Sequence, residues 1–202
     1  ISINSDLEKK WLFDGIVNYK KNYNFDIEGF LSQKISRFKT IVNLKTILDD
    51  FISTQKRLTI LDKLSDLNLE VYGTKTWLGH SFMRSSSLFS KFKMTPIMTS
   101  GVLSRLYQRS RVALSIAHHQ AQSGFPIRIF DILGTGTPLV TDKHSELNEL
   151  FEENKMFLSY ESPEEASESV RRIIKDKYLG ASLGRAGFEA IKNKHTFTSR
   201  VD

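Results

Sequence analysis

The chain has 202 residues, of which 40% are hydrophobic, so it can form one large or two small domains with a buried core. It contains no cysteine, which excludes disulfides, thiolate metal sites and cysteine nucleophiles and favours a cytoplasmic location. No apolar run approaches the roughly 20 residues that cross a bilayer. The chain starts at Ile1 without a signal-type segment, and we expect it to be a fragment of a larger protein.

The net charge of +6 is concentrated in the first hundred residues, which carry 15 Lys and Arg against 10 Asp and Glu, whereas the remainder carries 14 against 13. Such an excess suits an anionic partner. The basic residues are scattered, however, and no motif for base stacking or groove reading accompanies them. The pattern favours a solvated basic surface and argues against nucleic acid.

The first half of the chain is predicted to be mostly helical. Residues 1–52 repeat apolar side chains every three or four positions, which predicts two or three helices and no Rossmann strand. Ser53 is the predicted N-cap of a helix that ends at Leu67, and Leu69–Tyr72 predicts a short strand ending at Gly73. Residues 74–100 are predicted to be a loop with one short element at Leu88–Phe92. We expect residues 1–52 to be a helical segment and residues 53–202 one domain.

From Gly101 onward, predicted helices alternate with short apolar strands. This alternation predicts a parallel sheet with helices on both faces, an α/β Rossmann-like fold. The predicted helices are Val102–Gln108, Ile127–Leu133, Ser145–Glu152, Pro163–Lys175 and Ala181–Lys194, and the predicted strands are Val112–Ile116, Leu139–Thr141 and Met156–Ser159.

The segment Gly124–Asp142 carries the most specific pattern. Pro126 suits the first turn of a helix, and Arg128 and Asp131, three residues apart, then share one polar face. Gly134 is the predicted left-handed residue that ends the helix. Three apolar side chains are predicted to face the sheet, namely Ile127, Phe130 and Leu133.

The start of this helix is a candidate anion site. Free N–H groups of a first helical turn bind phosphate, and Arg128 adds a permanent charge. The plain alternative is that Arg128 and Asp131 form a solvated surface pair. In a parallel sheet, the loops that follow the strands meet at one edge, so the segments 73–76, 117–120 and 124–128 are expected to converge.

The order of these features resembles the C-terminal, donor-binding half of GT-B-fold glycosyltransferases of group 1, in the spore-maturation (CgeB-like) branch. The resemblance extends over about residues 55–202. Five segments carry it: Val71–Gly73, Leu103–Tyr107, Leu114–His119, Arg128–Asp131 and Gly136–Leu139.

The resemblance implies a retaining, metal-independent glycosyltransferase that uses a nucleotide-diphosphate sugar of the UDP or GDP type and no cofactor. The amides of Gly124, Phe125 and Ile127, with Arg128, would hold the diphosphate, and Asp131 would bind the ribose.

Further positions follow from the same resemblance. Gly73 and Thr74 would lie near the base. His118 and His119 would approach the sugar or diphosphate, although a histidine at a strand end is also a common structural group. The acceptor would be a glycan, a protein or a lipid. Residues 1–52 are too few for an acceptor domain and would be an interdomain segment or its remnant, so we do not expect this chain to turn over alone.

Two alternatives stay open. A catalytically inactive nucleotide-binding or scaffold domain of the same fold is suggested because Ser123 stands where a related branch has a Glu, and Asp131 is shorter than the usual Glu. The second is a phosphate- or nucleotide-binding α/β domain of another class, such as a regulatory receiver domain. It requires a cluster of acidic residues at strand ends, which Leu69–Tyr72 and Val112–Ile116 do not supply. Asp142 and Glu146 flank a predicted helix entry, and we expect no metal.

Overall fold

The computed structural model describes residues 44–73, 87–93, 99–118 and 123–196. Contacts divide the chain into two compact units, residues 1–59 with 118–120, and residues 60–117 with 121–202. The helices expected before residue 44 lie outside the described residues, as do Thr74 and His119. The proposed division into a helical segment and a domain at residues 52 and 53 therefore stays a prediction.

Helix α1, Leu44–Asp62, begins in the first unit, and its last three residues belong to the second. Ser53 lies inside this helix and is only 1% exposed, so its predicted role as an N-cap is wrong. The helical periodicity continues through it, since Ile52 and Leu58 are also buried. Helix α1 also ends earlier than the predicted Leu67, because the chain then turns through short-range bonds such as Leu67 N–H to the Leu64 carbonyl at 3.0 Å.

The second unit contains two parallel sheets among its described residues. Strand β1, Val71–Tyr72, pairs with β2, Phe92–Lys93, which follows a 3₁₀ helix at Ser87–Lys91. The other sheet has the order β3 (Ala113–Ser115), β4 (Leu139–Asp142) and β5 (Leu158–Tyr160). Parallel strands joined through helices confirm the predicted α/β Rossmann-like fold, with β1 and β2 forming a sheet of their own.

The helices of this unit are α2 (Ser100–Gln108), α3 (Arg128–Gly134), α4 (Pro163–Lys175) and α5 (Lys177–Lys194), with a 3₁₀ helix at Ser145–Glu149. Helix α4 has the predicted bounds because Pro163 occupies its first turn and the Ser162 hydroxyl accepts the Glu165 N–H. Helix α5 starts before the predicted Ala181, because the Asp176 carboxylate caps it by accepting the N–H groups of Tyr178 and Leu179, each at 3.0 Å.

The core lies between α3 and the β3–β4–β5 sheet. All four residues of β4 are buried, as expected for a central strand covered on both faces. Ile127 was predicted to face this core and does not, because its side chain is 77% exposed. Phe130 is half-buried. The buried cluster consists of Ala113, Ile129, Ile132, Leu133, Leu139, Leu147, Phe151 and Phe157.

The helical phase explains this correction. Ile129, Ile132 and Leu133, spaced by three and four residues, form the buried stripe of α3. Ile127 is the N-cap and precedes the helix proper, which starts at Arg128. The apolar stripe is therefore set by residues further along the helix, and Ile127 projects outward with Arg128.

The turn after α3 uses a different glycine from the one predicted. Gly134 is the last helical residue, and Thr135 after it has a right-handed φ of −91°. The left-handed residue is Gly136, with φ +74°. Helix α5 packs directly against this turn, since a Cβ at Gly184 would lie 2.2 Å from the Gly136 carbonyl oxygen and one at Gly187 would lie 2.7 Å from Leu133 Cδ2.

Candidate functional site

Arg128 and Asp131 lie in the first turn of α3, and both side chains are exposed. Their spacing of three residues places them on one face, as predicted. Among the described residues, neither side chain takes part in an ion pair. Their exposure is also what the plain alternative of solvated surface residues predicts. Both charged groups are available to a ligand.

Tyr107, near the end of α2, lies beside these two charges. The pKa of its hydroxyl is raised, mainly by burial, and the nearby Asp131 carboxylate raises it further while Arg128 opposes the rise. The Tyr107 ring also packs against the core cluster. Tyr107 therefore lies within electrostatic range of both charged groups of α3.

Few backbone N–H groups are free at the start of α3. The N–H groups of Ile129 and Phe130 already donate to the carbonyls of Pro126 and Ile127, both at 3.0 Å. Within the described part of the chain, no acceptor meets the N–H groups of Ile127 and Arg128. Helix α3 has only seven residues, so its dipole adds little, and any anion here would depend on those two amides and the Arg128 side chain.

The amide of Gly124 is already occupied. Gly124 has the left-handed φ of +72°, and its N–H donates to Glu146 Oε1 at 3.0 Å. The other carboxylate oxygen accepts the Ser145 hydroxyl at 3.0 Å. The Gly124 hydrogen bond is the main reason that the pKa of Glu146 is lowered. Ser123, next to Gly124, is exposed. The carboxylate that accepts the Gly124 N–H comes from a residue 22 positions further along the chain.

Asp142 joins the carboxyl ends of β3, β4 and β5 through hydrogen bonds. Its Oδ2 accepts the Ala117 N–H at 2.6 Å and the Tyr160 hydroxyl at 3.0 Å. Tyr160 Oη also lies 3.3 Å from the Ser115 carbonyl oxygen. Asp142 is 7% exposed and serves the fold at the carboxyl ends of β3, β4 and β5, rather than a ligand.

Two buried hydroxyls lie in register on the neighbouring strands. Ser115 on β3 pairs with Thr141 on β4, so their side chains share one face of the sheet. Both residues are 0% exposed, and neither Ser115 Oγ nor Thr141 Oγ1 has a hydrogen-bond partner.

Aromatic rings support α3 from the side. Phe130 lies 5.7 Å from Phe125 and 5.5 Å from Phe151, measured between ring centroids. His195, which follows α5, packs on Phe151 at 5.0 Å and on Phe130 at 5.7 Å. His195 thus joins the end of α5 to the helix that carries Asp131.

The predicted site residues are only partly brought together. Gly124, Phe125, Ile127, Arg128 and Asp131 form one continuous segment. Gly73 follows β1, whose described hydrogen bonds join it to β2 and not to the larger sheet. His118 groups with the first unit, where Nε2 lies 3.3 Å from Asp50 Oδ1. The roles of Gly73, Thr74, His118 and His119 stay predictions.

Sequence reasoning missed two residues at this site. The sequence identifies Tyr107 only as part of the Leu103–Tyr107 segment. Its packing against the core cluster beside α3 depends on how α2 and α3 meet, which the local sequence does not determine. Glu146 was assigned to a helix entry, and its contact spans 22 residues of sequence, which no local pattern reveals.

Other parts of the described structure offer weaker evidence for a functional site. Among residues 44–73, 87–93, 99–118 and 123–196, no group of three His, Asp or Glu side chains is placed to hold a metal ion. A groove of about 710 Å³ follows α4, but it is open, and its charges pair with one another, as in Lys63 with Glu164 at 2.8 Å. In the described residues, every helix is too short or too polar to span a bilayer.

Comparisons with known proteins gave a match to a solved structure and a match to a family model. The fold is similar to sucrose-phosphate synthase from Thermosynechococcus elongatus, with a TM-score of 0.57 and 14% sequence identity over 68% of this chain. The match covers 37% of the length of that synthase. A search of curated proteins found no match. Residues 55–202 match the model of a family described as "Glycosyl transferase-like", and the chain belongs to that family.

Proposed function

We propose that residues 53–202 are the donor-binding domain of a glycosyltransferase that transfers a sugar from a UDP- or GDP-type nucleotide sugar to a glycan, protein or lipid. The enzyme would belong to the spore-maturation branch and act in the cytoplasm. It would retain the configuration at the anomeric carbon of the transferred sugar. The observation that carries this proposal is the unpaired, exposed Arg128 and Asp131 on the first turn of α3, within a matched glycosyltransferase-like region.

The chemistry of these groups supports a nucleotide. The Ile127 and Arg128 amides and the Arg128 guanidinium offer hydrogen bonds and positive charge to a diphosphate. The Asp131 carboxylate accepts hydrogen bonds from two vicinal hydroxyls, such as those of a ribose. Tyr107 lies within electrostatic range of Arg128 and Asp131. Stabilising the charge that develops on a leaving diphosphate needs donors and cations of this kind, and a metal is not required.

Titration tests the binding step directly. The chain is titrated with UDP and with GDP, following heat and the backbone amide shifts of residues 124–131. We expect saturable binding, with the largest shifts at Ile127 and Arg128, and a loss of at least about tenfold in affinity in Asp131→Ala, as for a hydrogen bond to a charged group. Glu189→Ala, which removes a carboxylate from an exposed position on α5, is the matched control.

A catalytically inactive nucleotide-binding or scaffold domain is the second candidate. One observation favours it: the Gly124 amide, which the resemblance assigns to the diphosphate, holds the Glu146 carboxylate instead. Sugar transfer or donor hydrolysis by the longest protein that contains this chain, lost in Asp131→Ala without loss of fold, distinguishes catalysis from binding alone.

A further inference from the structure

The Glu146 carboxylate is held in place at the edge of the proposed donor site. One of its oxygens accepts the Gly124 N–H at 3.0 Å, and the other accepts the Ser145 hydroxyl at 3.0 Å. A carboxylate oxygen can accept two hydrogen bonds. The carboxylate therefore keeps acceptor capacity for a ligand, and the half-buried side chain remains accessible to solvent.

The charge of this group restricts what can bind beside it. The Gly124 N–H, the backbone of Glu146 and the Ser145 hydroxyl all lower the pKa of Glu146, so it is ionised at neutral pH. An ionised carboxylate accepts hydrogen bonds from hydroxyl or ammonium groups and repels phosphate oxygens. The part of a ligand next to Gly124 must therefore carry hydrogen-bond donors without negative charge.

We propose that Glu146 is a specificity-determining residue that accepts hydrogen bonds from hydroxyls of the transferred sugar. This inference rests on the proposed donor site. It divides the site into a phosphate part at Ile127 and Arg128, where unpaired amides and a cation lie, and a neutral polyol part at Glu146 and Gly124. The division follows from the sign of the charge at each end of the Gly124–Arg128 segment.

The test compares sugar nucleotides with the free nucleotides. Wild type, Glu146→Gln and the control Glu149→Gln, an exposed carboxylate in the same 3₁₀ helix, are titrated with UDP, GDP, UDP-glucose and GDP-mannose. We expect Glu146→Gln to weaken binding of the preferred sugar nucleotide by about tenfold or more, and binding of the free nucleotide by less than about twofold. Glu149→Gln should change neither.

Other outcomes overturn the proposal. Tighter binding of both ligand types by Glu146→Gln would mean that the carboxylate competes with phosphate for the Gly124 amide. If Glu146→Gln weakened binding of both ligand types equally, or changed neither affinity, Glu146 would be only a structural support. Failure of wild type to bind any of the four ligands would instead refute the donor site itself, and Glu146's role with it.

A second measurement does not depend on a folded variant. Saturation-transfer NMR with the wild-type chain should mark the sugar-ring protons of bound UDP-glucose or GDP-mannose along with those of the nucleoside. Marking confined to the nucleoside would contradict a sugar contact at Glu146.

Discussion

The Tyr160 hydroxyl donates to the Asp142 carboxylate at 3.0 Å, joining the end of β5 to the end of β4 in the interior of the second unit. Both residues are buried, with Tyr160 3% exposed and Asp142 7% exposed. The same carboxylate oxygen accepts the Ala117 N–H just after β3. All three strands of the larger sheet thus depend on one carboxylate.

Tyr160→Phe should lower the free energy of unfolding by about 1 to 3 kcal/mol, because it leaves a buried carboxylate short of a donor. Urea denaturation followed by circular dichroism measures this. Tyr178→Phe is the matched control, since Tyr178 is 90% exposed and should tolerate the same change. Equal stability of the two variants would contradict the structural role of the Tyr160 hydroxyl.

Gly184→Ala should destabilise the protein by about 1 to 3 kcal/mol through overpacking. The added Cβ would lie 2.2 Å from the backbone oxygen of Gly136, which cannot yield as a flexible side chain would. Thermal unfolding checks the effect. Gly101→Ala is the control: it lies in the first turn of α2, where the nearest atom to an added Cβ is 4.0 Å away, and it should be neutral or stabilising.

Thr141→Val should leave the free energy of unfolding unchanged or raise it by up to about 1 kcal/mol, because the buried Thr141 hydroxyl has no hydrogen-bond partner. Thr137→Val supplies the contrast. Thr137 is 3% exposed, and its hydroxyl pairs with that of Thr135 at 2.9 Å, so its loss should cost about 1 kcal/mol. Chemical denaturation measures the free energy of unfolding of both variants. A large loss of stability in Thr141→Val alone would contradict the conclusion that its hydroxyl has no hydrogen-bond partner.

Acid should destabilise the protein. The pKa of Asp66 is lowered by its hydrogen bond with Arg171, and that of Glu164 by its bond with Lys63. A carboxyl group with a lowered folded pKa stabilises the native state above its unfolded pKa and loses that contribution as the pH falls through the folded value. Stability should therefore decline from about pH 5 downward.

Denaturant melts between pH 7 and pH 2 measure this decline. Asp66→Asn should reduce its slope, because one carboxylate with a lowered pKa no longer takes up a proton on acidification. Glu189→Gln, an exposed change of the same charge, is the control. A slope in Asp66→Asn equal to that of wild type would contradict the assignment to Asp66.

Local signals were predictable from the sequence, and contacts between distant segments were not. Helix α4 has the expected ends because Ser162, Pro163 and Lys175 carry its cap, first turn and last turn within a continuous stretch. The alternation of helices and strands likewise predicted the parallel sheet. These features depend on neighbours in sequence.

The candidate site shows where that approach ends. Arg128 and Asp131 were predicted on one face, because a spacing of three residues determines it. The exposure of Ile127 depends on how α3 is phased against the sheet, and the placement of Glu146 on Gly124 depends on two loops meeting. Neither is set by local propensity, so both required the structure.

The close approach of α5 to the turn after α3 also limits how the site can adapt. Where Gly184 faces Gly136 and Gly187 faces Leu133, the two segments are near backbone contact, and α3 has no room to slide backward. Residues 123–127 and 144–146, which border the proposed site, take no part in this close approach. Libraries intended to alter ligand preference should diversify those segments and keep the small residues of α5 fixed.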